Sequence, residues 1–137
     1  MKNISKYISY AEATTSQTAI RKGIDNTPTP EALKCMETVG TEVFDKVREY
    51  FGKPLRVSSF YRSPKLNKAV GGSATSQHVK GMAIDMQGLG NVTNEMIFNY
   101  VKDNLDFDQL INEYNFSWVH VSFVSKEKNR KQILVIK

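Results

Sequence analysis

Cysteine, which can cross-link a chain, and proline, which interrupts helices and strands, are scarce in this sequence. It holds a single cysteine, Cys35, so it can form neither an internal disulfide nor a cluster of thiolate metal ligands. Cys35 lies in an apolar, helix-like run, and we expect it to be a small buried side chain rather than a nucleophile. Only four prolines are present. Two of them fall in residues 27–30, where they predict a break before the first long helix.

Long apolar runs are absent as well. No apolar run in the sequence is long enough to cross a bilayer, and no apolar segment follows Met1 and Lys2. We therefore expect no transmembrane helix, no signal peptide and no membrane partner. The chain would be made in the cytoplasm and would reach an outside substrate after release by another factor. Its 137 residues, 40% apolar and 24% charged, suffice for one domain with its own core.

The basic residues form few clusters, although the formal net charge is +5. Lysines and arginines are scattered, and only residues 126–131 are densely basic. We interpret this segment as a solvated tail; a second interpretation is attraction to an anionic cell wall. A nucleic-acid-binding protein is a third, and its affinity would fall steeply with salt. We expect no nucleic-acid partner.

Histidine is the other scarce residue, and its placement is informative. His78 and His120 are the only two histidines, and Asp85 lies between them at the end of a short apolar run. Two imidazoles and one carboxylate form a typical catalytic zinc set, with three protein ligands and a fourth position open for water. Nitrogen donors with one hard oxygen hold the metal and leave it Lewis acidic.

The surroundings of these residues carry a family resemblance. Residues 76–85 follow the pattern S-x-H-x-x-G-x-A-x-D, and a V-H-V strand follows at residues 119–121. The sequence resembles the zinc D,D-carboxypeptidases of the cell wall and their phage-lysin relatives, which share a fold with the hedgehog signalling domain. The resemblance runs from about Ser9 to Phe123. It implies one zinc ion per chain, bound by His78, Asp85 and His120.

The same resemblance implies a fold and an activity. The fold is α+β, with a small central antiparallel sheet, helices on one side and a zinc cleft on the other. The activity is hydrolysis of peptidoglycan stem peptides, as a D,D-carboxypeptidase or an endopeptidase. The small size, the missing export signal and the basic charge favour a monomeric phage or prophage lysin that acts on the bacterial wall after release.

Periodicity and turn residues predict the elements of a single domain over residues 1–137. Residues 1–26 are polar and irregular; the resemblance implies an arm packed on the body, while the sequence alone fits a flexible arm equally well. Residues 126–137 read as a basic tail with a final edge strand. Thr29 and Pro30 begin a long helix that Gly52 ends. The other predicted elements are strands at residues 55–60, 82–86, 108–113, 118–123 and 133–136 and helices at 65–70 and 91–104.

Strand alternation predicts which acid lies beside the metal ligands. Trp118 and His120 share one face of their strand. If residues 114–117 form the hairpin loop, Glu113 lies opposite Trp118 and diagonal to His120, which makes it the best candidate for the general base. Relatives in the resembling family carry an acid or a histidine a few positions before the second histidine ligand. Ser117 lies three positions before His120 here, so the base stays open, with Asp108 as the alternative.

The resemblance also suggests substrate contacts. Arg62 matches an arginine that stabilises the oxyanion or holds a substrate carboxylate, a task that suits a guanidinium. Ser76 matches a substrate-contacting serine, or it supports the turn at His78. Trp118 forms a wall of the cleft or packs beside it. The alternative function is a non-catalytic zinc-containing module that binds cell-wall peptides or a protein.

Overall fold

A five-stranded sheet with helices packed against it forms the body of the protein. The computed structural model describes residues 3–137. The helices are α1 (Tyr10–Thr14), α2 (Gln17–Lys22), α3 (Pro30–Val39), α4 (Asp45–Phe51), α5 (Pro64–Ala69) and α6 (Asn94–Asn104), with a 3-10 turn at Gln77–Lys80. The strands are β1 (Arg56–Ser59), β2 (Ala83–Gln87), β3 (Gln109–Glu113), β4 (Trp118–Ser122) and β5 (Gln132–Ile136). The class is the predicted α+β.

The sheet is mixed rather than wholly antiparallel. Its order is β1-β2-β4-β3-β5; the first three pairs are antiparallel, whereas β5 pairs parallel with β3. The prediction of an antiparallel sheet is therefore wrong for this edge strand. β4 ends beside the start of β3, where the amide of Asp108 donates to the carbonyl of Ser122. A short connection from that point brings β5 alongside β3 in the same direction.

The long helix predicted from Thr29 to Gly52 is present, but part of it is π-helical rather than α-helical. The Thr29 side chain caps α3 and Pro30 occupies its first turn, as predicted. A π-helical segment, Gly40–Phe44, then joins α3 to α4. The apolar face that the spacing predicted is buried against the sheet. None of the helices in residues 3–137 combines the length and the apolar character that crossing a bilayer requires.

The N-terminal arm is more regular than the sequence suggested. Residues predicted to be irregular form α1 and α2, because Ser9 and Ser16 each accept a hydrogen bond from a backbone N–H of the helix that follows. The buried carboxylate of Asp45 accepts hydrogen bonds from the Ser5 hydroxyl and from the backbone of Lys6. These bonds hold the start of the chain against α4.

Sheet register sorts the side chains into two faces. Asp85 pairs with His120, and the predicted pairing of Glu113 with Trp118 is observed. The alternate residues of β2 and β4 are fully buried and pack with α3 and α6: Ile84, Met86, Val119 and Val121. The other face of the sheet therefore carries two of the candidate metal ligands, Asp85 and His120, and His78 comes from the 3-10 turn.

Candidate metal centre

The turn that carries His78 is fixed at both ends. The Ser76 hydroxyl accepts a hydrogen bond from the His78 amide at 3.2 Å, which is the supporting role that the sequence left open. Gly81 ends the turn with φ +74°, where only glycine is unstrained. A Cβ at Gly81 would lie 2.5 Å from the Ala32 carbonyl oxygen, so the glycine also lets the turn pack closely on α3.

His78, Asp85 and His120 converge as predicted. One potential ligand atom from each lies within 4.8 Å of the other two. His120 Nδ1 lies 2.9 Å from Asp85 Oδ1, and His78 Nε2 lies 3.3 Å from Asp85 Oδ2. Burial raises the pKa of the Asp85 carboxyl, but the hydrogen bonding and charge of His120 and His78 together outweigh burial and hold the pKa below its ordinary value. The carboxylate is thus ionised and available as a ligand.

The protonation of His78 tests whether this donor set fits a metal. Its Nδ1 lies 2.6 Å from the carbonyl oxygen of Phe60. A carbonyl can only accept, so Nδ1 carries a proton, and in the neutral imidazole Nε2 then presents a lone pair. That Nε2 is buried and has no hydrogen-bond partner among residues 3–137. At 3.3 Å from Asp85 Oδ2, this nitrogen is favourably placed only with a proton or a metal ion between it and the carboxylate. The residues present therefore fit a divalent metal held by two imidazoles and one carboxylate.

Glu113 lies beside His120 on the same face of the sheet. Its Oε2 lies 3.7 Å from His120 Nδ1 and accepts a hydrogen bond from the Trp118 indole at 2.8 Å. The Tyr114 ring packs edge-on against Trp118, with centroids 5.4 Å apart. Trp118 therefore fixes the orientation of the Glu113 carboxylate, a role that neither sequence interpretation of Trp118 included.

Arg62 approaches the group from the β1 side. Its Nη2 lies 3.9 Å from Asp85 Oδ2, while Nη1 donates to the side chain of Asn67 at 3.0 Å. Its Nε donates to the Ser59 hydroxyl. Burial lowers the pKa of Arg62, yet the guanidinium stays charged at neutral pH. Asn67 is a site residue that sequence reasoning missed; the one available signal was Gly72, where a Cβ would overlap the Asn67 side chain.

Asp108, the alternative base, is engaged elsewhere. Only 2% of its surface is exposed. Its carboxylate accepts hydrogen bonds from Arg130 Nε and Nη2 at 2.9 and 2.7 Å and from Gln77 Nε2 at 2.9 Å. The bonds from Arg130 lower the pKa of Asp108 to about 2. Asp108 thus joins the C-terminal segment to the residue before His78, which leaves Glu113 as the candidate base.

We expect Asp108→Asn to destabilise the protein by about 2 kcal/mol at pH 7, the free energy that corresponds to its lowered pKa. A carboxyl with a lowered pKa stabilises the fold above its unfolded-state pKa of about 4, and this contribution disappears as the pH falls through about 2. Urea unfolding between pH 2 and 7 measures the free energy of unfolding of each protein, and Asp103→Asn at an exposed position is the control. Equal stability of Asp108→Asn and wild type at pH 7 would contradict the role.

Together, the α+β fold and the His–Asp–His group define a candidate metallohydrolase centre. A family model described as Peptidase M15 matches residues 6–122, so the chain belongs to the peptidase M15 family. The predicted resemblance is thereby confirmed at the level of the M15 family. M15 peptidases are zinc-dependent, which agrees with the donor set found here. A search of curated proteins finds no match.

Proposed function

We propose that this M15 peptidase hydrolyses peptide bonds in the stem peptides of peptidoglycan, with zinc held by His78, Asp85 and His120. The observation that carries the proposal is the buried, unpartnered Nε2 of His78 facing the Asp85 carboxylate. Zinc, when bound, supplies Lewis acidity that activates water and polarises the scissile carbonyl.

Glu113 is the proton carrier in this proposal. Its carboxylate accepts a proton from the attacking water, whose oxygen forms the new bond to the carbonyl carbon. Glu113 then delivers that proton to the leaving nitrogen as the carbon–nitrogen bond breaks. The Trp118 indole holds Glu113 Oε2, so proton transfer requires little reorientation of the side chain.

Arg62 stabilises negative charge on the substrate. Asn67 and Ser59 hold Nη1 and Nε, which leaves Nη2 to donate to the developing oxyanion or to a substrate carboxylate. Ser76 contributes a second contact: its oxygen accepts from the His78 amide, and its hydroxyl proton remains available to the substrate.

The test is hydrolysis of purified stem peptides by zinc-loaded protein, followed as new amino groups and released D-alanine. We expect turnover that is lost when a chelator removes the metal and restored by added zinc, because the metal supplies the Lewis acid. Peptide binding without turnover by zinc-loaded protein would instead indicate the non-catalytic module. The context of a monomeric phage or prophage lysin that acts on the wall after release belongs to the same proposal.

A further inference from the structure

A cleft of about 610 Å³ opens beside the candidate metal centre. One side of it is formed by consecutive residues 56–62, which comprise β1 and the segment that leaves it. Glu12 and residues 15–18, from α1 and the start of α2, also line it, together with Leu66 and Val70. Arg62 lines the cleft, and its Nη2 lies 3.9 Å from Asp85 Oδ2, so Arg62 is the residue that the cleft shares with the metal centre.

The β1 side of the cleft is a sheet edge. β1 pairs with β2, and no other strand of residues 3–137 pairs with it. An edge strand presents unpaired backbone N–H and C=O groups, to which an extended peptide can add as a further strand. Beyond β1 the backbone is already bonded, since the Tyr61 N–H donates to the Ala13 carbonyl and the Arg62 N–H to the His78 carbonyl. At about 3.3 Å per residue, β1 itself spans about 13 Å, the length of an extended peptide of about four residues.

The side chains of the cleft suit a polar peptide that carries carboxylates. Arg56 and Arg62 lie at the two ends of the β1 side, and Glu12 is the one acidic residue among the lining residues. Hydroxyl groups supply most of the remaining polar contacts, from Thr15, Ser16, Thr18, Ser58 and Ser59. Such a lining can hydrogen-bond the backbone of a substrate and pair with its carboxylates.

We propose that this cleft binds an extended segment of the stem peptide as a strand added to β1, with the N-terminal helices as its outer wall. The proposal rests on the proposed function and refines its substrate class. A cleft of this length favours peptides that continue several residues from the scissile bond, and a dipeptide occupies only the end at Arg62. The enzyme therefore selects long stem peptides over D-alanyl-D-alanine.

The test compares a synthetic stem pentapeptide ending in D-alanyl-D-alanine with the free dipeptide. Gln17→Trp adds a large side chain at the exposed first position of α2, inside the cleft. Lys22→Trp adds the same side chain to the exposed last turn of α2, outside the lining residues, and serves as the control. We expect Gln17→Trp to raise KM for the pentapeptide about tenfold or more, since a filled cleft excludes the added strand, and Lys22→Trp to leave it unchanged.

Binding separates this inference from the proposed function. Calorimetry on zinc-loaded Glu113→Gln protein measures the affinity for both peptides without turnover. We expect the pentapeptide to bind at least about tenfold more tightly than the dipeptide, since its longer chain forms more main-chain hydrogen bonds, and Gln17→Trp to remove this advantage. Equal affinities, or pentapeptide affinity that Gln17→Trp leaves unchanged, would overturn the cleft assignment. Cleft-dependent binding with no hydrolysis by wild type would refute the proposed function and leave the peptide site standing.

Discussion

Glu113→Gln is expected to lower kcat by about 10²- to 10⁴-fold, the usual contribution of a positioned general base. Glutamine has nearly the same shape and can still accept the indole hydrogen bond of Trp118, so the local packing is preserved. It cannot take up a proton at neutral pH, and the water attack loses its base. His78, Asp85 and His120 are unchanged, so we expect the zinc content to equal that of wild type.

Two comparisons make this result specific. Glu95→Gln removes the same charge from an exposed position in the first turn of α6 and should leave kcat within about twofold of wild type. Zinc content is measured on the same samples by elemental analysis. A Glu113→Gln protein that retains full activity would show that another group carries the proton.

Arg62→Lys is expected to reduce kcat/KM by about 10²- to 10³-fold, similar to the loss of an oxyanion-hole donor. Lysine keeps the charge but not the planar set of donors. It cannot bond to Asn67 and Ser59 and still present an N–H beside Asp85. The loss of kcat/KM should therefore arise from the lost geometry of the guanidinium donors rather than from a change in net charge.

The control for Arg62→Lys is Arg21→Lys on the exposed surface of α2, which should leave kcat/KM unchanged. Zinc affinity, measured by competition with a chromogenic chelator, should be close to wild type in both variants. If Arg62→Lys retained wild-type kcat/KM, charge alone would suffice and the guanidinium would have no directional role.

The ligand set followed from the two histidines and from the family resemblance of residues 76–85, whereas the hairpin register followed from a local pattern. The spacing of His78, Gly81 and Asp85 belongs to one short segment whose turn and strand are encoded within it. The position of Glu113 followed from a four-residue loop and the two-residue period of strands. The register needs only neighbouring residues, and the structure agrees with it. His120 lies 35 residues from Asp85 and meets it only because β2 and β4 pair.

Contacts between distant segments could not be predicted in this way. Asn67 is only five residues from Arg62, but the loop after α5 folds closely over both side chains at Gly72, where a Cβ would overlap them. Asp108 meets Arg130 because the C-terminal segment returns beside β3, and the direction of that return depends on where β4 ends. Side-chain types in a single sequence do not report such long-range pairings, so Asp108 remained an alternative base until the structure placed it.

The most direct test of the metal centre is elemental analysis of purified protein, with wild type measured beside His120→Ala. The account predicts about one zinc ion per chain in wild type, because three converging ligands suffice for a catalytic zinc site. It predicts that His120→Ala loses the metal while remaining folded. Wild-type protein that holds no zinc even after reconstitution, or His120→Ala protein that retains a full equivalent, would contradict it.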